Sequence, residues 1–407
     1  MQLSRAEKGF IFLAMLICFC IGAEYAISRP ASISLFVSTF SAAAIPWAWL
    51  ATVPLNLAAV YLYNRFLPRM GPWNMVAIFI GLILTVHVAC GAFLSSFPKL
   101  IFLQYVWKDL YILFMFKQLW SLIHATIAES RAKYLYGIIF GCGTLGSIMG
   151  SIVPGFFAVD IGSEQLFYLS IPIYLVALFC YRWAFRLSGV ETKTYPTEDP
   201  RPREGVQMIL RNRVLLSILL LVVFMQISVA LVEYQFNTHL ELSILEKDIR
   251  TAYCAKILGI TNFLSAALQL IGSYFLVHFL GTRRTHQFIP LLLLSSAALS
   301  FAIPSFVFVS FSFIFVKAID FSLFGVVREM LYIPLKFDEK YRAKAVIDVF
   351  AYRTAKAFIS LLLLSLQLFL GERLLQLASW MSVALFAVWF LFVLFFLRLD
   401  EKSLMTD

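Results

Sequence analysis

The sequence predicts an all-α membrane protein, with twelve transmembrane helices in two six-helix pseudo-symmetric halves. Composition, the spacing of apolar runs and an internal repeat lead to that fold class. Of the 407 residues, 61% are apolar and 14% charged, and mean hydropathy is +0.86. A soluble chain carries roughly 25% charged residues. A water-soluble globule of this composition could not give its surface a polar skin, which excludes soluble enzymes, nucleic-acid binders and disordered chains. The six cysteines form no C-x-x-C pair and fall mostly inside apolar runs, so neither a disulfide framework nor a zinc site is expected.

A bilayer core of about 30 Å is crossed by about 20 helical residues. Apolar runs of that length fall at 9–27, 45–64, 73–95, 101–127, 134–158 and 165–187, and again at 214–237, 253–280, 287–304, 306–334, 344–370 and 374–397. The first run contains Glu24 and lacks a small-residue cleavage site, so it reads as an uncleaved helix rather than a signal peptide. Between the sets lies a stretch rich in Pro, Thr, Glu and Arg. It gives a domain reading of 1–187, a cytoplasmic linker 188–212, and 213–407. With the N-terminus inside, twenty-one Lys and Arg fall on the cytoplasmic side and six on the other. That excess predicts both termini and the linker on the cytoplasmic side; a bacterial inner membrane is the expected location.

The halves are related by an internal offset. Asp109, Lys117, Arg131 and Lys133 map by 211 residues onto Asp320, Arg328, Arg342 and Lys344, and Glu24-Tyr25 maps by 209 onto Glu233-Tyr234. Parallel six-helix repeats of this kind describe the major facilitator architecture, with its site between the halves near the midplane. A charge at a helix centre costs roughly 2.5–3.5 kcal/mol on insertion scales, yet charges gather on particular spans. Span 1 has Glu24; span 4 has Lys108, Asp109 and Lys117; span 7 has Glu233. Span 10 has Lys317, Asp320, Arg328 and Glu329, and span 11 has Asp348, Arg353 and Lys356. In the major facilitator arrangement helices 1, 4, 7 and 10 line the central cavity.

Each charge also has a plain structural reading. Lys317 and Asp320 lie on one helix face and can neutralise each other. Arg328 and Glu329 lie near the cytoplasmic end, where long side chains reach the interface. Lys108 and Asp109 point about 100° apart, which predicts separate partners. Arg131, Lys133, Arg342 and Lys344 read as cytoplasmic hinge or gate residues, or as orientation signals. Gly137, Gly141, Gly143, Gly146 and Gly150 predict close helix packing, and no G-K-[ST] follows to make a phosphate loop. The single histidines His87 and His124 predict helix–helix hydrogen bonds. No catalytic motif and no metal-ligand cluster is present, so the sequence asks for neither enzyme chemistry nor a cofactor.

Three stretches resemble the bacterial and plastid ATP/ADP translocases and their wider bacterial relatives. They are Lys117-Gln118-Leu119-Trp120-Ser121 through Arg131-Ala132-Lys133 to Gly141-Cys142-Gly143-Thr144-Leu145-Gly146; Val232-Glu233-Tyr234-Gln235-Phe236-Asn237; and Arg328-Glu329-Met330-Leu331-Tyr332-Ile333-Pro334-Leu335 with Lys344-Ala345-Val346-Ile347-Asp348-Val349 and Arg353. The resemblance runs from about 40 to 360, and the third stretch is the most specific. It implies that Glu233 and Lys356 match nucleotide-recognition positions, that Glu129 stands where another acid is expected, and that Arg29 is nearest to a family lysine after span 1. Two departures stand out: the family's Lys-Asp pair is Arg29-Pro30 here, and its glycine-rich stretch after the span-11 lysine is Ala357-Phe358-Ile359-Ser360. The chain is also shorter than the translocases.

These readings converge on an alternating-access transporter for an anionic metabolite such as a nucleotide, in ATP/ADP-like exchange. The expected partners are that small molecule and the lipid bilayer, with no nucleic acid, and a monomer is expected. The expected cavity set is Glu24, Arg29, Lys108, Asp109, Lys117, Glu233, Lys317, Asp320, Arg328, Glu329, Arg353 and Lys356. Two alternatives remain: a carrier of the same fold for a non-nucleotide solute or lipid, and a non-transporting assembly partner.

Overall fold

The computed structural model describes residues 4–127, 129–189, 202–332, 346–347 and 351–403. Its elements are helical throughout the described residues. The chain divides into two compact units. Unit 1 holds Met1–Ala44, Ala51–Thr197 and Ile244–Phe263, and unit 2 holds Ile45–Leu50, Glu198–Ser243 and Leu264–Asp407. Most of the polar stretch between the apolar sets, 190–201, lies outside the described residues.

Unit 1 is organised around helix α1, Arg5–Phe40. Its start is fixed by a capping box: Ser4 Oγ accepts from the Glu7 amide, and the Ser4 amide donates to Glu7 Oε2 at 2.8 Å. Two of the amides that a helix start leaves unpaired are thereby satisfied. The helix runs past the expected end at residue 27 because Pro30 is accommodated inside it. Proline takes away one ladder donor, the one that would face the Ala26 carbonyl, and the helix continues beyond it. Further on, the Ser32 and Ser38 hydroxyls fold back onto the carbonyls of Ser28 and Ser34. Helices α2 (Ile45–Phe93), α3 (Leu100–Thr126), α4 (Glu129–Ile161) and α5 (Ser170–Ser188) complete the series. Unit 1 takes α2 from Ala51 onward. Phe10, Ile17, Ile80, Tyr111, Leu122 and Tyr174 are among the side chains of its common core.

The glycine run explains how closely α1 and α4 meet. A Cβ on Gly146 would stand 2.2 Å from Phe19 O, one on Gly150 2.3 Å from Ala23 O, and one on Gly22 2.2 Å from Gly143 O. Any side chain there would push the backbones apart, which is the use of small residues at membrane helix seams. Gly137 and Gly141 meet nothing within 4 Å, so only the later part of the run is a packing seam.

The segment Ile244–Phe263 also belongs to unit 1. It contains most of α8, Lys247–Ala267. Arg250, 3% exposed, donates to Ile244 O at 2.9 Å and to Ser38 Oγ at 2.8 Å. Asp248 Oδ1 accepts from the Ser163 amide at 2.8 Å, and Lys247 is ion-paired with Glu164. Gly259 lies against Ser151, where a Cβ would come within 2.4 Å of Oγ.

Unit 2 contains α6 (Pro202–Arg211), α7 (Arg213–Ser243), α9 (Ser273–Ala302), α10 (Phe306–Ile319) and α11 (Gly325–Leu331), followed by the helices Tyr352–Leu370 and Leu374–Ser403. Phe236 stacks on Phe313 with centroids 4.2 Å apart. Trp389, buried, meets Phe224, Phe324 and Phe386. Between α10 and α11 the helix widens into a π turn at Asp320–Phe324.

Among the described residues ten helical stretches are long and apolar enough to cross a membrane, against twelve expected. Two features account for much of the difference. The spans expected at 45–64 and 73–95 form one stretch, Ala42–Phe93, bent at Gly71. Helix α3 carries Lys108, Asp109 and Lys117, which lower its apolar character. Gly281 bends α9 with the same backbone angles as Gly71, φ 73° and ψ 164°. Such positive φ is open to glycine and strained for other residues. The two bends are 210 residues apart, in line with the repeat offset.

Candidate functional site

The costly charges are held in two clusters, one in each unit. In unit 1, Lys108 on α3 is 4% exposed and its Nζ lies 2.9 Å from Asp109 Oδ1. The separate partners expected for these neighbours are therefore corrected: the lysine stem is long enough to curl across the 100° between their Cα–Cβ directions. The same ammonium stands 4.1 Å from the Tyr105 ring centroid. Tyr25 OH reaches Asp109 Oδ1 at 3.4 Å, and Arg29 lies 5.7 Å from the Tyr25 ring centroid.

Glu24, on α1, is fully buried. Tyr174 OH donates to its Oε2 at 2.7 Å and Tyr111 OH to its Oε1 at 3.2 Å. Ser28 Oγ stands 2.8 Å from Tyr111 OH, and His87 Nδ1 lies 3.6 Å from Glu24 Oε1. His87 is thus in a helix–helix hydrogen-bond network, as a lone span histidine was expected to be, and its position beside Glu24 was not anticipated. His124 is exposed and stacks on Tyr136.

In unit 2 the carboxylate equivalent to Glu24 is treated differently. Glu233 Oε2, on α7, accepts from Lys317 Nζ on α10 at 2.7 Å, with both side chains about a tenth exposed or less. Lys317 therefore reaches across helices to Glu233. Asp320, in the π turn one helical turn on, accepts from Gln226 Nε2 at 3.2 Å. A π turn inserts an extra residue and re-aims the side chains after it, a feature common at functional sites. Lys108 and Lys317 are 209 residues apart, the offset that relates Glu24 to Glu233.

The other expected residues are more dispersed. Lys117 is exposed, with its ammonium 4.7 Å from the Tyr63 ring centroid. Arg328 Nη2 lies 3.4 Å from Glu329 Oε1 on the exposed side of α11. Lys356 stands over the buried Trp49 ring at 4.9 Å, and Arg353 is half-buried one turn before it. Arg131 pairs with Glu7. Arg342, Lys344 and Asp348 lie outside the described residues, as do the side chains of Glu129 and Lys133. Among the described residues no group of three His, Cys, Asp or Glu could hold a metal ion.

Sequence reasoning passed over Tyr111, Tyr174, Gln104, Gln226 and Ser28. Their one signal is a polar group in an apolar span, which among 17 Tyr singles out none. Gln235, inside the Val232–Asn237 match, donates to Ser382 Oγ at 2.7 Å and accepts from Ser379. It ties α7 to the Leu374–Ser403 helix.

A protein-family profile described as TLC ATP/ADP transporter matches residues 302–402, about a quarter of the chain. The chain is 24% identical over 336 residues to ADP,ATP carrier protein 1 of Chlamydia trachomatis, covering 72% of this chain and 62% of the carrier. The same figures hold for ADP,ATP carrier protein 1 of Chlamydia muridarum. The match thus covers less than two thirds of those carriers. Among solved structures it is similar to a mutant of the nucleoside transporter NupG, with TM-score 0.70 and 11% identity over 95% of this chain and 99% of that one. A POT family transporter in complex with 5-aminolevulinic acid gives 0.69 and 13% over 98% and 96%. A D-xylose-proton symporter gives 0.63 and 14% over 95% and 97%. At such identities the likeness concerns the fold: an all-helical, multi-pass membrane protein of the major facilitator type.

Proposed function

We propose that this protein is a transporter that works by alternating access and exchanges anionic nucleotides. Two buried ammonium–carboxylate contacts carry most weight, Lys108–Asp109 and Lys317–Glu233. A lone ammonium inside a membrane helix costs roughly 2.5–3.5 kcal/mol, and here two are kept at repeat-equivalent positions. Apolar side chains would fill those places without that cost, so a purely structural role gives no reason to retain them. A phosphate oxygen accepts from an ammonium as a carboxylate does. An incoming phosphate can therefore take over Lys108 or Lys317 and release Asp109 or Glu233. Exchange of one anion for another leaves the count of charge contacts unchanged.

The likeness to ADP,ATP carriers supports a nucleotide as the anion. We read Arg29, Asp320, Arg353 and Lys356 as further substrate-facing groups, with Lys117, Arg328 and Glu329 toward the cytoplasmic side. The organisation we propose is two halves, 1–187 and 213–407, joined by a cytoplasmic linker 188–212. The protein acts as a monomer in a bacterial inner membrane with both termini inside. The test is a panel of ATP, ADP, AMP, adenosine, amino acids and lysolipid, read by thermal shift of purified protein and by uptake into proteoliposomes loaded with each nucleotide. A ligand at a hundred times its Kd stabilises by about 2.7 kcal/mol. Stabilisation and counterflow with nucleotides alone support the proposal. Saturable stabilisation by lysolipid or an amino acid, with none by nucleotides, overturns it.

A further inference from the structure

Glu24 and Glu233 are related by the repeat, yet their surroundings differ in kind. Glu233 faces the ammonium of Lys317 at 2.7 Å. The groups around Glu24 include the Tyr111, Tyr174 and Ser28 hydroxyls and the His87 imidazole. A buried carboxylate is stabilised by a cation or by a proton, and of these groups only the imidazole readily gains one.

Every element packed around Glu24 bears this out. α2 presents His87, and α3 presents Tyr111, with the Lys108–Asp109 pair joined to the same region through Tyr25. α5 presents Tyr174 and Ser170, the 165–169 turn presents the Phe167 ring to His87, and α4 presents Gly146 and Gly150. Within α1 itself, the buried Cys20 lies one turn before Glu24.

The far side of His87 supplies an independent observation. Its Nδ1 lies 2.9 Å from Ser170 Oγ, and its Nε2 lies 3.0 Å from Gln104 Nε2. Gln104 is fully buried, and its Oε1 has no hydrogen-bond partner. As placed, the amide donates to Nε2, which requires a neutral imidazole with its proton on Nδ1. The same amide nitrogen donates to Ser32 Oγ at 3.3 Å. A half-turn of the amide would give up that bond, put Oε1 against Nε2 and give an imidazolium the acceptor it needs there. Leaving a buried acceptor orphaned costs roughly 1–3 kcal/mol. The amide can thus meet either state of the ring, as donor to the neutral imidazole or as acceptor from the imidazolium.

We propose that Glu24 and His87 form a one-proton site, and that binding and release of this proton is coupled to movement of the anionic cargo. The coupling rests on the transport reading above; the proton site does not. A proton from water binds either Glu24, giving a carboxyl beside neutral His87, or His87, giving an imidazolium beside the carboxylate. Either way the charge of the pair passes from minus one to zero, and release restores it.

Two measurements separate the site from the coupling. In lipid-reconstituted protein without ligand, infrared difference spectra across a pH titration should show one transition, in which a carboxyl band grows in if Glu24 takes the proton or imidazolium bands grow in if His87 takes it. Glu24→Gln should abolish that transition, and His87→Gln, which keeps the carboxyl, should shift its midpoint. No transition in the wild type, or one unmoved by both variants, overturns the site; if Glu24→Gln does not fold, the His87→Gln midpoint decides. In proteoliposomes, one pH unit should sustain about a tenfold nucleotide ratio for one coupled proton, and the response should vanish in Glu24→Gln or His87→Gln. Nucleotide exchange indifferent to the gradient in the wild type overturns the coupling and leaves the transporter standing. No nucleotide transport overturns both the transport reading and the coupling, while the infrared result still decides the proton site.

Discussion

Replacing Glu233 with Gln removes the carboxylate 2.7 Å from Lys317 Nζ while keeping nearly the same volume. From sequence alone that substitution looks harmless, since it takes a charge out of an apolar helix. The structure reverses the expectation, because it leaves a buried ammonium short of its carboxylate. Breaking a buried pair by removing one member costs roughly 3–5 kcal/mol. Asp320, one turn along from Lys317, draws the ammonium and holds the cost near the lower end, about 3 kcal/mol. Lys317→Met leaves Glu233 in the converse position and should cost a similar amount. Independent effects would sum to about 6 kcal/mol, whereas the double variant, with no charge left to compensate, should cost about 1 kcal/mol. Equilibrium unfolding in mixed micelles, followed by tryptophan fluorescence, measures all three. A double variant that loses the sum of its parents' stabilities would refute the pairing argument, as would singles indistinguishable from wild type. Uptake by the double variant then separates structure from function: recovered stability without recovered transport is the expected result.

Gly146→Val should cost at least about 1–3 kcal/mol, the range for overpacking, because its Cβ meets a backbone carbonyl; Gly141→Ala, in open space, should be neutral in the same unfolding assay. In a background without native cysteines, Asp109→Cys should react with aqueous thiol reagents and Lys108→Cys should not, since the first side chain is 26% exposed and the second 4%. Equal labelling would show that the two do not differ in access to water. Arg250→Ala should raise hydrogen exchange across 244–251 by freeing the Ile244 and Leu245 carbonyls that the guanidinium holds; unchanged exchange would show that the segment is held by packing alone. Reporter fusions within 188–212 should read as cytoplasmic, while one between Ser243 and Asp248 should not.

The apolar runs were legible because the bilayer imposes a length on them. Their ends were less so. The first apolar run ends near residue 27, yet the helix continues through Pro30 to Phe40. The bends at Gly71 and Gly281 sit in short polar interruptions that read as loops, and only the backbone angles show that the helix turns there. Scarcity made Glu24, Asp109, Glu233 and Lys317 stand out, since any charge in an apolar run is conspicuous. Their partners were not legible. Lys317 has Asp320 three residues away, the choice local spacing favours, but it reaches Glu233 on another helix. The phenols around Glu24 are hidden for the opposite reason: tyrosine is common here, and which rings converge is settled by how α3 and α5 pack on α1.

The embedding of Ile244–Phe263 in unit 1 has a consequence for the order of events at the ribosome. When Ser188 has been made, every earlier helix of that unit exists, but the face of α4 bearing Ser151 has not met Gly259. The segment that covers it arrives about 75 residues later. At about 5–20 residues per second, the gap lasts on the order of 4–15 seconds. During that interval the Asp248 carboxylate, the acceptor for Ser163, has yet to be synthesised. Completion of the first unit is therefore timed by translation of the second, and a chain truncated before Lys247 would leave an assembly with an uncovered seam for quality-control proteases.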